Sequence, residues 1–323
     1  MKIVGNKKTA FLISALFLIL IVTIILGIIY LGNRKVYPEN PLKMKNLGTS
    51  TVDVDISSME IEPDQKDVPV YFVEPKIHIS QVEELISKLS LSLERKDIVR
   101  DSYVQWSDGS NSFTYDSIQD TVSFQLTEGI PLERNEEAFS TFFSRYFDLE
   151  YDFTLINEKK NLDGGVTYYA SRNLGDIHIQ FGANYEYSDI LKFNKEGDLE
   201  SGILLLAEIE EYDFYLPIVG EKELREIVNI ERYPKEHFVD TSVLMDMLNI
   251  DYLDDSWTEI EESVSDCTGG SSELIFLYKN SNQGYLLPVF KIFSTCKVVK
   301  SNSEYSVPTT FYVNAVNPSY VSL

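Results

Sequence analysis

The apolar positions of this chain fall into three patterns. The first is continuous: from Thr9 to Asn33 no residue is charged, and most are Phe, Leu, Ile or Val. Lys7 and Lys8 close the run on one side, Arg34 and Lys35 on the other. Spanning a bilayer takes about 20 apolar residues, and a cleaved signal peptide has a shorter apolar stretch followed by a small-residue site. No Ala-x-Ala pattern follows this run. It predicts an uncleaved transmembrane helix over Thr9–Leu31 after a cytoplasmic tail (1–8), hence a single-pass protein of the cell membrane. Basic residues are balanced across the run. A lone N-terminal anchor ahead of a long domain, together with the cysteine pair below, points to an extracytoplasmic position for the bulk of the chain.

The second pattern has the period of a helix face. Ile79, Val82, Leu85, Ile86 and Leu89 predict a helix over Ile79–Leu91, with Ser80 and Glu83 placed as a capping box. Phe139, Phe142, Phe143, Tyr146 and Phe147 form an aromatic stripe on a helix over Glu136–Phe147, read as core. Glu221–Asn229 predicts a third helix and Thr241–Leu248 a fourth. The third pattern is alternation between polar turns, which predicts strands. These lie at 68–73, 102–107, 112–116, 121–126, 166–171, 176–182, 189–193, 199–208, 273–279 and 285–293. The glycine pairs 164–165 and 269–270 read as turns.

Residues 32–67, with Pro38, Pro41 and Pro63 and little periodicity, predict a tether. A faint repeat follows: Ile130-Pro131-Leu132 and Leu216-Pro217-Ile218, 86 residues apart, each precede a helix, and Val73-Glu74-Pro75 is a looser third instance. Short strands punctuated by single helices predict an α+β chain of tandem antiparallel modules, each with one packed helix. The expected division is 68–155, 156–240 and a β-rich 241–323 with a hairpin.

Charge narrows the partners. Seven of the 28 basic residues and one of the 51 acidic ones lie in the first 45, which leaves 21 against 50 beyond them. Such a surface repels phosphate backbones and shows no basic patch, so nucleic acid is not an expected partner.

Two cysteines, Cys267 and Cys296, flank a predicted hairpin whose turn contains their midpoint. Folding there brings them opposite each other and predicts a disulfide, the alternative being two buried thiols. Two cysteines do not supply the four ligands a structural zinc site needs. His78, His178 and His237 are scattered, and no metal-protease, nucleophile-elbow or phosphate-loop motif occurs. The acidic residues Asp251, Asp254, Asp255, Glu259, Glu261 and Glu262 lack the alternation and central glycine of a calcium loop and read as solvated. No catalytic residue, cofactor site or metal site is expected.

Ile190–Gly197, Tyr215-Leu-Pro217, Glu273–Tyr278, Tyr285–Ile292 and Thr310–Ala315 together resemble bacterial membrane-tethered proteins with PepSY-like modules, including those of the YycH/YycI type. The resemblance implies a non-enzymatic, anchored extracytoplasmic protein that modulates a membrane or envelope protein. The alternatives are a cell-envelope glycan-binding module, motivated by 20 Tyr and 18 Phe, and a hydrolase with an unrecognised site.

Overall fold

The computed structural model describes residues 20–23, 35–43, 47–48, 50–59, 67–99, 102–181, 186–230, 233–240, 243, 245, 264–300 and 303–322. In chain order the elements are β1 (Leu42–Lys43), β2 (Val54–Asp55), β3 (Asp67–Val73), α1 (Ile79–Lys88), β4 (Glu94–Val99), β5 (Tyr103–Ser107), β6 (Ser112–Asp116), β7 (Thr121–Ile130), α2 (Ala138–Phe147) and β8 (Phe153–Lys160). They continue as β9 (Val166–Leu174), β10 (Ile177–Gln180), β11 (Asp189–Phe193), β12 (Leu199–Leu205), β13 (Ile209–Pro217), α3 (Glu221–Ile227), β14 (Lys235–Val239), β15 (Val264–Leu277), β16 (Leu287–Lys300), β17 (Ser303–Asn314) and β18 (Val321–Ser322).

Fourteen of these strands form one mixed sheet in the order β14-β17-β16-β15-β10-β9-β11-β12-β7-β6-β5-β4, with β2 beside β15 and β8 beside β9. Most neighbours are antiparallel; β10 and β2 run parallel to β15. This corrects the expected tandem α+β modules. The expected boundary at 155/156 falls inside β8, a strand of the one continuous sheet. Its joins, β12 to β7 and β10 to β15, link residues too far apart for local periodicity to register. The proline repeat is not modular either. Two of its three strands, β3 and β13, pair with each other in a separate two-stranded sheet.

Alternation assigns the faces. Val104, Trp106, Phe113, Tyr115, Val122 and Phe124 are buried and point to one side, where Val82, Leu85 and Ile86 of α1 and Phe139, Phe142 and Phe143 of α2 cover them. The capping box is not formed. Helix α1 starts at Ile79 with His78 as N-cap, no side chain caps it, and Glu83 pairs instead with Arg95 at 2.9 Å. A second core gathers Leu274, Phe276, Phe290, Ile292 and Phe311 with Tyr71 and Leu224. The two cores meet at residues 204–207: Leu204 and Leu206 enter the first, Leu205 and Ala207 the second.

The stretch read as a tether is woven into the fold where it is described. β1 pairs with β18, β2 with β15, and Val54, Ile56 and Met59 are buried. The Asn229 side chain holds both the Val54 N–H and its carbonyl at 3.0 Å. Gly269 and Gly270 lie inside β15 rather than in a turn. A Cβ on Gly269 would stand 3.1 Å from Ile56 and 3.2 Å from Met59, so the missing side chain makes room for this segment.

The membrane reading is also corrected. Of Thr9–Leu31 only residues 20–23 are described; the rest lies outside the described residues. Among the described residues no helix is long and apolar enough to cross a membrane. The longest have 10 residues, about 15 Å of rise against a hydrocarbon core of about 30 Å. Membrane attachment through a Thr9–Leu31 helix, single-pass localisation and the PepSY-like architecture therefore have no support here.

Cys267 and Cys296 are joined by a disulfide. The β15–β16 register shifts between Ser265 and Thr268, so that Asp266 and Cys267 together face Cys296. Asp266 takes the left-handed φ of 47° that this bulge requires. Closing the loop of about 30 residues between the cysteines is expected to contribute about 3–4 kcal/mol. Cys267→Ser, or added reductant, should lower the melting temperature by several degrees. Equal melting with and without reductant would show that the bond contributes nothing.

Candidate functional site

The face of the sheet opposite α1 and α2 is polar and open. Strand alternation places Ser112, Thr114, Ser123, Gln125 and Ser201 on it, and these line a shallow hollow of about 440 Å³ that reaches Tyr169 on β9. Beyond Tyr169 the face deepens into a groove of about 660 Å³, bounded by Asn157 and Lys159 of β8, Gln180 of β10, Glu273 of β15, and Lys291 and Phe293 of β16. Register explains the convergence. Glu273 lies directly opposite Lys291 in the β15–β16 ladder, and Asn157 opposite Tyr169 in the β8–β9 ladder. Gln180 pairs with Leu277, two pleats along from Glu273 and on the same face.

The floor is a hydrogen-bonded cluster. Lys291 is 6% exposed and Gln180 1% exposed. The Lys291 ammonium donates to Gln180 Oε1 at 2.9 Å and lies 3.3 Å from Glu273 Oε1. An ammonium can only donate, which fixes the amide orientation. Gln180 Nε2 therefore donates to Glu273 Oε1 at 3.3 Å and to His178 Nε2 at 3.1 Å. His178 must accept there, which leaves its proton on Nδ1. Burial holds its pKa below the usual value, opposed by Glu273 and reinforced by Lys291. The aromatic walls are Phe293, 41% exposed with the Lys291 ammonium 4.9 Å from its ring centre, and the Tyr169–Tyr187 pair at 4.9 Å.

The other two histidines lie elsewhere. His78 and Asp120 are sealed in the interior, His78 Nε2 3.4 Å from Asp120 Oδ2, and the Tyr115 hydroxyl donates to Asp120 Oδ1 at 3.0 Å. His237 on β14 meets the Ser50 hydroxyl at 2.9 Å, a contact that helps pin the N-terminal segment to that strand. Both cysteines are consumed by the disulfide. The acidic residues from Asp251 to Glu262 lie outside the described residues, as does Thr241–Leu248 apart from Val243 and Met245. Among the described residues no three potential ligands gather to hold a metal.

No family model and no curated protein matches the chain. Among solved structures, an uncharacterised protein from Eubacterium rectale is similar, at 7% identity and a TM-score of 0.44 over 84% of this chain and 90% of that one. A likeness of that size carries no argument about fold or function. Nothing in these comparisons bears on PepSY-like or YycH/YycI proteins.

The groove residues come from five strands between positions 153 and 300, so no local motif could mark them. One signal was present. Glu273 and Lys291 are lone charges inside strongly apolar strands, Glu-Leu-Ile-Phe-Leu and Val-Phe-Lys-Ile-Phe.

Behind the groove, on the helix-covered face, Asp189 begins β11. Burial lifts its carboxyl pKa to about 6, against the pull of Arg172 and of the bonds from Ser188 and the Leu205 N–H. A carboxyl whose folded pKa is raised contributes stability below its unfolded value, about pH 4, and loses it as pH rises to about 6. A shift of that size corresponds to about 3 kcal/mol. Asp189→Asn keeps an acceptor for Leu205 and cannot ionise. Its stability relative to the unsubstituted protein is therefore expected to improve on going from pH 4 to pH 7, read as the difference between their urea midpoints. A difference that stays flat would mean that Asp189 is ionised throughout.

Proposed function

We propose that this chain is a non-catalytic binding protein, acting on a ligand or partner by holding it in the groove between β8 and β16. The observation that carries this reading is the floor cluster of Lys291, Glu273, Gln180 and His178. Its acid and base groups face one another, and none of their hydrogen bonds reaches a serine, threonine or cysteine that could serve as nucleophile. Covalent catalysis needs a base within hydrogen-bond reach of such a group. A rigid polar floor with aromatic walls is instead suited to orienting a ligand.

The test is to present arrays of peptides and neutral glycans to the purified full chain, recover what binds, and weigh it by mass spectrometry. Recovery of a ligand at unchanged mass, lost in Phe293→Ala, is the expected result. A ligand that returns cleaved or modified, or an array that yields nothing, overturns the proposal.

A further inference from the structure

Resting on the binding reading above, we infer that the groove takes a neutral saccharide chain. One sugar ring stacks on Phe293 while, of two neighbouring hydroxyls, one accepts from a remaining Lys291 N–H and the other donates to Glu273 Oε2.

The first argument is charge. The chain carries a formal charge of −23, yet the groove balances Lys159 and Lys291 against Glu186 and Glu273. Anionic chains are repelled by the surrounding field. A cation would have to compete with Lys291 for Glu273, and a carboxylate with Glu273 for Lys291. An uncharged ligand meets neither obstacle.

The second argument is hydrogen-bond complementarity. Lys291 donates one N–H to Gln180 and stands in ion-pair range of Glu273, which leaves donor capacity for a ligand. Glu273 Oε1 accepts from Gln180 and faces the Lys291 ammonium, while Oε2 stands 3.9 Å from His178 Nε2, a nitrogen already accepting from Gln180. A donor and an acceptor are thus offered side by side. A hydroxyl donates and accepts at once, so adjacent hydroxyls on a sugar ring match such a pair. Asn157 adds an amide at the rim.

The third argument is shape. Phe293 offers a partly exposed ring, and an apolar ring face is what the C–H face of a pyranose covers. The groove also continues past Tyr169 into the hydroxyl-lined hollow of Ser112, Thr114, Ser123 and Gln125. This open track suits several consecutive sugar units, so affinity should grow with chain length.

The experiment uses the full chain and calorimetric titration with uncharged hexaoses of glucose and of N-acetylglucosamine in several linkages. Their monosaccharides and an oligogalacturonate serve as short and anionic counterparts, and a peptide array is run in parallel. At least one neutral hexaose is expected to bind, more tightly than its monosaccharide and than the anionic chain. Phe293→Ala should weaken it by about tenfold, and Glu273→Gln, which removes the anion facing Lys291, should weaken it as well, both variants being titrated at a temperature where circular dichroism shows them folded. No binding by any neutral hexaose, or binding that both substitutions leave unchanged, overturns the inference. Peptides that bind and are lost in the same variants would sink the saccharide while sparing the binding reading. A bound saccharide that returns shortened would sink the binding reading and keep the ligand class.

Discussion

Arg172→Leu is expected to lower the free energy of unfolding by about 3–5 kcal/mol, the cost of breaking a buried charge cluster from one side. Arg172 is 1% exposed. It donates to the Ala207 carbonyl at 2.9 Å and to the Leu205 carbonyl, and lies over the Tyr151 ring at 3.8 Å and the Phe143 ring at 5.3 Å. Leucine fills part of the volume but leaves two buried carbonyls without donors. It also removes the charge that opposes protonation of Asp189. The pair should therefore be non-additive: Arg172→Leu combined with Asp189→Asn should cost clearly less than the two single losses added. Urea melts of the three variants measure this. Additive losses would mean that Arg172 acts only through the two carbonyls and the rings.

Phe142→Ala is expected to cost a similar amount, about 3–5 kcal/mol. Phe142 has no exposed surface. It stacks on Phe124 with centroids 5.7 Å apart and an interplanar angle of 4°, and touches Tyr146 at 4.8 Å and Phe147 at 6.2 Å. It is thus one of the contacts that seat α2 on the sheet, beside those of Phe139 and Phe143 with Phe153 of β8. Truncation leaves a cavity bounded by rigid rings that have little room to collapse, which puts the loss toward the upper part of the range. Phe142→Leu, which retains much of the volume, should recover more than half of it. A loss below about 1 kcal/mol for the alanine variant would mean that α2 shifts to close the gap.

Much of the local structure could be read from the sequence, because local structure follows local periodicity. The aromatic stripe from Phe139 to Phe147 and the alternations at 112–116 and 189–193 each bury one face, and the structure has α2, β6 and β11 there. What could not be read was assembly. β4, with all six residues exposed, has no apolar alternation to announce it. β13 begins after a break at residues 206–208 that looks like continuous strand in sequence. The expectation of modules failed for the same reason: strand neighbours such as Gln180 and Leu277 are chosen by tertiary packing across nearly a hundred residues. The groove is harder still, since it exists only where β8, β10 and β15 come together. His78 shows the converse. Its sequence position says nothing, and a buried Asp120 determines its environment.

The alternation at residues 204–207 has a consequence for how the molecule comes apart. Successive side chains there belong to different cores, and the same few peptide groups are gripped by Asp120, Arg172 and Asp189. Opening one core pulls this segment out of register and strips side chains from the other. The two halves therefore share a single failure point. Although the chain has two hydrophobic centres, it should lose them in one cooperative step, with no long-lived half-folded species between.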